Sequence, residues 1–328
     1  MYSDISVWMA LVFVLGGLFA LAWSSDFFID GASQLAKKLG ISPFIIGMVI
    51  IGFGTSAPEL CVSAMSGISG HSNLSLGNAY GSCIFNILVI IGIAAIIHPV
   101  RVKPGIAFVA VPCLVAISLF SWYLLSDGRY SRLDAFMQLG LFAVLLPAYC
   151  WFEQRGKQKP QEEQKSNAGG VLPALFKLIA GLGVLVGSSH ILVWGSVDIA
   201  RMLGVSELMI GLTILAVGTS LPELASAIAA ARKGKHEFVL GNIIGSNFFN
   251  TLAVVGIAGG ITPIEKFSRY VVMRDLPIMI GVSLLIGVFG LSLSNSRKGG
   301  RISRIEGLIF VVAFLVYTAV MVWQEKAG

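Results

Sequence analysis

Gly54-Thr55-Ser56-Ala57-Pro58-Glu59-Leu60 returns 164 residues later as Gly218-Thr219-Ser220-Leu221-Pro222-Glu223-Leu224. Each copy lies inside a long apolar run, so each sets a glutamate and a proline at a depth where neither is easily tolerated. A carboxylate there costs several kcal/mol unless it is paired, protonated or bound to a cation. Proline removes a backbone donor and crowds the turn before it, which leaves the carbonyls of Gly54 and Gly218 without their helical partners. Two copies of this double cost point to a shared function.

Working outward, the same shift lays Gly77-Asn78-Ala79-Tyr80-Gly81-Ser82 on Gly241-Asn242-Ile243-Ile244-Gly245-Ser246. It also matches Asn86 with Asn250, Gly92 with Gly256 and Pro99 with Pro263. From 54 to 92, 16 of 39 positions are identical without a gap. After eight extra residues the match resumes, with Ser131-Arg132-Leu133-Asp134 on Ser303-Arg304-Ile305-Glu306. The chain is an internal duplication.

Of 328 residues, 56% are hydrophobic and 12% charged, about half the charged share of a soluble domain. Apolar runs, several near membrane-spanning length, predict spans at 7–23, 44–68, 77–97, 105–125 and 132–152. A second set follows at 172–194, 207–231, 241–262, 273–293 and 304–323. The expected fold is therefore an all-α integral membrane protein of ten transmembrane helices in two inverted five-helix repeats. The first repeat covers 1–152, a polar linker 153–170, and the second repeat 171–328. Five spans per half is an odd number, so the second half enters from the opposite side, the plan of many secondary transporters.

The net charge of +6 reflects Lys and Arg placed between apolar runs. With both termini outside and the linker cytoplasmic, 16 of the 23 basic residues fall on the inner face, as the positive-inside rule favours. Nucleic-acid binding is not expected. No metalloprotease, hydrolase or nucleotide-loop motif is present, so an enzyme is not expected either. The four cysteines have no ligand spacing and read as buried free thiols. Membrane lipids are the expected surroundings, with no obligatory protein partner evident.

Thr55, Ser56 and Glu59 share one helix face by their spacing of three and four, and Ser82 and Asn86 share another. Thr219, Ser220 and Glu223 repeat the first face, and Ser246 and Asn250 the second. Bringing the halves together gathers two carboxylates, hydroxyls, amides and the freed carbonyls near the midplane. Such oxygens suit a hard cation; no His or Cys cluster is placed for a softer one. Gly77, Gly81, Gly241 and Gly245 are expected to let helices approach closely. Asn78 and Asn242 read as packing or capping groups. Asp26 and Asp30 read as solvated just past the first span, Asp134 and Glu306 as helix-start residues, and His71, His98, His190 and His236 as interfacial.

The paired G-T-S-x-P-E-L and G-N-x-x-G-S-x-x-F-N motifs resemble the alpha repeats of the sodium/calcium exchanger superfamily, in its compact prokaryotic branch. The resemblance spans nearly the whole chain. It implies exchange of calcium for sodium across a prokaryotic inner membrane by alternating access, with no cofactor beyond the transported ions. It assigns ion binding to Glu59 and Glu223 and backbone-carbonyl ligation to Thr55 and Thr219. Ser56, Ser220, Ser82 and Ser246 would line sodium positions, and the first span of each half would be a sliding gate. Some family members carry an acid where Asn86 or Asn250 stands here. With two carboxylates only, coupling to protons or potassium stays an alternative, as does a cation channel.

Overall fold

The computed structural model describes residues 7–68, 72–155, 171–203, 216–290 and 300–327. The first half holds α1 (Val7–Leu39), α2 (Pro43–Thr55), α3 (Ala57–Ile68), α4 (Ser75–Ile97), α5 (Ile106–Leu125) and α6 (Arg132–Arg155). The second holds α7 (Val171–Met202), α8 (Ala216–Thr219), α9 (Leu221–Arg232), α10 (His236–Ile261), α11 (Val271–Gly290) and α12 (Arg304–Ala327). Among the described residues, eight helices are long and apolar enough to cross a membrane. The α2–α3 pair, bent by 43°, makes a ninth if taken as one span. The expected seventh span, 207–231, is described only from 216 onward.

Three expectations need correction. The first span does not stop at 23: α1 continues to Leu39, carrying Asp26 and Asp30 on the helix. Hydropathy ends where charge begins, but the helical hydrogen bonds continue because those charges find partners at the end of α9. Lys233 Nζ lies 3.3 Å from Asp26 Oδ1 and 3.0 Å from Asp30 Oδ1, and Lys235 Nζ lies 3.4 Å from Asp30. These aspartates are therefore ion-paired rather than simply solvated. The cysteines are all free, as expected, but only Cys83 is buried and Cys61 is exposed.

Lipid offers apolar side chains as good a home as the core does, so close backbone packing has to hold the helices together. α1 and α7 run antiparallel. A Cβ on Gly17 would meet Leu192 at 3.0 Å, and one on Gly181 would meet Phe28 at 2.8 Å. Gly17 and Gly181 are 164 apart, as are Phe28 and Leu192. A Cβ on Gly241 or Gly245 would strike the α2 backbone, at Phe44 O (2.5 Å) and Met48 O (2.2 Å). A Cβ on Gly77 or Gly81 would meet nothing within 4 Å among the described residues; the segment matching 44–48 by the repeat, 208–212, lies outside the described residues. The glycine expectation therefore holds for the second-half pair.

α10 is buried along its length, whereas α6 and α12 expose Phe136 and Val144, and Leu315 and Val316. Both outer helices begin with reciprocal caps, as expected of Asp134 and Glu306. Ser131 N–H donates to Asp134 (2.8 Å) and Ser303 N–H to Glu306 (2.6 Å). On one face, β1 (Val100–Val102) pairs antiparallel with β2 (Gly300–Ile302). A single bridge joins Tyr130 to Ile264. The repeat shifts of 164 and 172 carry Val100 onto Ile264 and Tyr130 onto Ile302.

Candidate ion-binding site

The repeated motifs fall where helices break. α2 ends at Thr55 and α3 starts at Ala57; Ser56 between them has φ −81° and ψ 4°. α8 ends at Thr219, and Ser220 has φ −93° and ψ 8°. Both serines occupy the sparsely used region between helix and strand. Pro58 and Pro222 sit at the second position of the helix that follows, where a missing N–H costs nothing. The chain thus turns at Ser56 and Ser220 and restarts with Glu59 and Glu223 in the first turn.

The two breaks face one another. Ser56 Oγ donates to Glu223 Oε1 at 3.1 Å, and Ser220 Oγ donates to Glu59 Oε1 at 3.2 Å. Ser246 Oγ donates to the Gly52 carbonyl at 3.5 Å. Ser220 also meets Ser82 at 3.2 Å. Both glutamates, Ser56 and Thr55 are 0% exposed. Each half thus supplies the hydroxyls that hold the other half's carboxylate.

That hydrogen bonding is incomplete. Glu59 Oε2, Glu223 Oε2, Asn86 Oδ1 and both side-chain atoms of Asn250 are buried without a partner. A buried charged group left unpaired is among the costliest features a fold can carry. A hard cation bound between the two glutamates would satisfy their free carboxylate oxygens. No group of three or more His, Cys, Asp or Glu among the described residues could hold a softer metal.

Asn86 and Asn250 make no hydrogen bond to either carboxylate among the described residues. Asn86 Nδ2 donates instead to Asn247 Oδ1 at 3.1 Å, and Asn247 Nδ2 to Cys83 O at 3.3 Å. Both lie in π-helical stretches, Asn86–Ile91 and Phe249–Val254, a local widening common at functional sites. The freed carbonyl of Gly218 accepts a hydrogen bond from Ser189 Oγ of α7 at 3.0 Å.

Asn242 is a packing group, as expected: its side chain bonds Thr55 Oγ1, Ser226 Oγ and the main-chain carbonyl of Glu223, and neither carboxylate. Thr55 Oγ1 donates to Asn242 Oδ1 at 3.1 Å, and Asn242 Nδ2 reaches Glu223 O at 3.3 Å. Asn247 was missed because its mate is Cys83, and a search for repeated polar residues passes over it. Its place directly after Ser246 and three before Asn250 was the available signal.

Comparison with known proteins gives the family. The model of the family described as "Sodium/calcium exchanger protein" matches residues 9–151 and 173–323. The chain is 39% identical to the "Putative antiporter CaxA" of Alkalimonas amylolytica, over 94% of this chain and 97% of that one. It is 33% identical to the "Inner membrane protein YrbG" of Escherichia coli, over 96% and 97%. A solved structure of the sodium-calcium exchanger NCX_Mj, soaked with sodium and no calcium, superposes with a TM-score of 0.83 at 30% identity. That match covers 96% of this chain and 99% of that one. With apolar spans, paired breaks and matches over nearly its whole length, the chain is a membrane protein and belongs to the sodium/calcium exchanger family.

Proposed function

We propose that the chain is a secondary active antiporter that exchanges calcium for sodium by alternating access, at one site shared by Glu59 and Glu223. The observation that carries this reading is the reciprocal hold of Ser56 on Glu223 and Ser220 on Glu59, with one oxygen of each carboxylate buried and unpartnered. The names of two similar proteins, "Putative antiporter CaxA" and the sodium-calcium exchanger NCX_Mj, support it.

The geometry suggests why fluxes couple. With both carboxylates ionised, the empty site carries two negative charges in a medium that solvates them poorly, and occluding it costs several kcal/mol per charge. One calcium or two sodium ions neutralise it, so loaded states cross and the empty one does not. Glu59, Glu223, the hydroxyls of Ser56, Ser220, Ser82 and Ser246, and the Thr55 and Thr219 carbonyls serve as ligands; Asn86 and Asn250 line the same region. In this reading α1 and α7 slide as the gates of the two halves. The termini lie outside and the 153–170 linker in the cytoplasm, with lipid the only obligatory partner.

Proton coupling is the second reading, favoured by the amides at Asn86 and Asn250, which leave two carboxylates to carry all the charge. Calcium-45 uptake into proteoliposomes loaded with sodium, potassium or neither separates the two. Exchange predicts uptake only with internal sodium. Uptake driven by a pH gradient alone would install the proton-coupled reading, and flux without any counter-ion would make the protein a channel.

A further inference from the structure

A cavity of about 810 Å³ opens on the face where α1 ends, beside the β1–β2 ribbon and the turn between α9 and α10. Lys37, Arg101, Lys103, Lys235, His236 and Arg301 line it. Glu237 is the one acid among the lining residues, and it is committed to Lys103 at 2.5 Å. A volume of this order is that of a ligand pocket, and its charge is strongly of one sign.

The ribbon sharpens the point. Its register sets Arg101 directly opposite Arg301, and both residues are exposed. Like charges directly opposed across a ladder destabilise it. Among the described residues neither guanidinium has a carboxylate within 4.0 Å. On the other face of the molecule, the same place in the repeat is the Tyr130–Ile264 bridge. There the residues matching Arg101 and Arg301 are Glu265 and Arg129, a pair of opposite sign. The duplicated architecture therefore accommodates a complementary pair at this place, and only this face has two arginines.

Two more features point into the same cavity. The first turn of α10 lines it, and its N-cap residue, Lys235, makes no side-chain cap; free N–H groups at a helix start favour anions. His236 Nδ1 is buried without a partner, and its ring packs on His98 at 4.9 Å. Desolvation holds the Lys235 ammonium below the usual lysine range; Asp30 opposes this, and Lys233 and Lys37 add to it. A general surplus of basic residues on one face would meet the positive-inside tendency with lysines spread over loops. It does not require two arginines, one from each half, to converge on one cavity.

We propose that this cavity binds a phosphate-bearing anion, held by the Arg101–Arg301 pair, with Lys37 and the start of α10 completing the site. Paired guanidiniums present forked donors that match phosphate oxygens. A basic pocket between helix ends at the membrane surface suits an anionic headgroup, and a free phosphate compound offers the same chemistry. Because Lys37 belongs to the last turn of α1, the occupant also ties that helix end to both halves. The inference concerns this cavity alone and does not depend on which ions are exchanged.

The test measures binding to the full-length purified protein. One arm titrates inorganic pyrophosphate in detergent and follows melting temperature and heat. The other compares nanodiscs of phosphatidylcholine with and without phosphatidylglycerol and counts retained lipids by native mass spectrometry. Binding in the first arm identifies a soluble phosphate ligand, and retention of phosphatidylglycerol in the second identifies a headgroup. In either case R101Q/R301Q should weaken binding about tenfold per arginine, and R101K/R301K, which keeps the charge but loses the fork, should also weaken it. Arg129→Gln, on the other face, should leave it unchanged. Melting of each variant without ligand reports its folding. No binding in either arm, equal binding by wild type and R101Q/R301Q, or an equal loss in Arg129→Gln would overturn the proposal.

Discussion

α1 and α7 occupy matching places in the two halves and interlock through matching glycines, yet they are fastened differently. α7 reaches the helix break directly, through Ser189 Oγ on the Gly218 carbonyl. Its mate in α1, Ser25, turns back to Ala22 O at 2.8 Å in its own helix. α1 is held further along, where Asp26 and Asp30 meet Lys233 and Lys235. The repeat places His190 and Trp194 at the corresponding positions of α7, so no such ionic contact is repeated. One helix is tied to the site and the other to the surface. The duplication therefore repeats the packing of the two helices but not the polar contacts that fasten them.

Three sets of substitutions break or sharpen this comparison. The largest effect belongs to what the two helices share. Gly181→Val drives methyl groups into the Phe28 backbone and should cost about 3 kcal/mol, read as lost folded yield and a lower melting temperature. Gly183→Val, on the same helix with nothing within 4 Å among the described residues, should change stability by about 0.5 kcal/mol or less. Next comes the α7 tether. Ser189→Ala leaves the buried Gly218 carbonyl unpartnered and should destabilise by about 1–3 kcal/mol, while Ser25→Ala, which loses only a local bond, should be close to neutral. Equal effects in thermal unfolding would remove the asymmetry. Smallest is the α1 latch, whose side chains are 26% (Lys233) and 49% (Asp30) exposed. Asp26→Asn/Asp30→Asn should shift hydrogen exchange in the last turns of α1 by about fivefold at most, and the shift should fade in high salt. A shift that persists in high salt would mean that packing, not charge, holds that end.

Much of this was legible in the sequence because duplication labels what matters. Glu59, Glu223, Ser56 and Ser220 each appear twice in an apolar setting, and the fold brings those four into direct contact. Features that the repeat does not duplicate were harder to read. Asn247 is matched by Cys83, and the Ser189 bond has no counterpart at Ser25. The length of α1 escaped because Asp26, Asp30, Lys37 and Lys38 end its apolar run, and only tertiary partners reveal that the helix goes on. π-helical stretches at Asn86 and Asn250 carry no compositional mark, since an extra residue in a turn depends on what packs against it. Opposed arginines on β1 and β2 are 200 residues apart, and only the register of the ribbon brings them together.

The central claim is that one ion site is built jointly from both halves. It is tested most directly by sodium-dependent calcium-45 exchange in proteoliposomes with Glu59→Gln, Glu223→Gln and the double variant. Removing either charge from a shared buried site should cost exchange about a hundredfold or more. The double variant should be no worse than the single ones, because groups that act as a unit are not additive. Near wild-type exchange in either single variant, or two partial losses that multiply in the double, would mean that the glutamates serve separate sites.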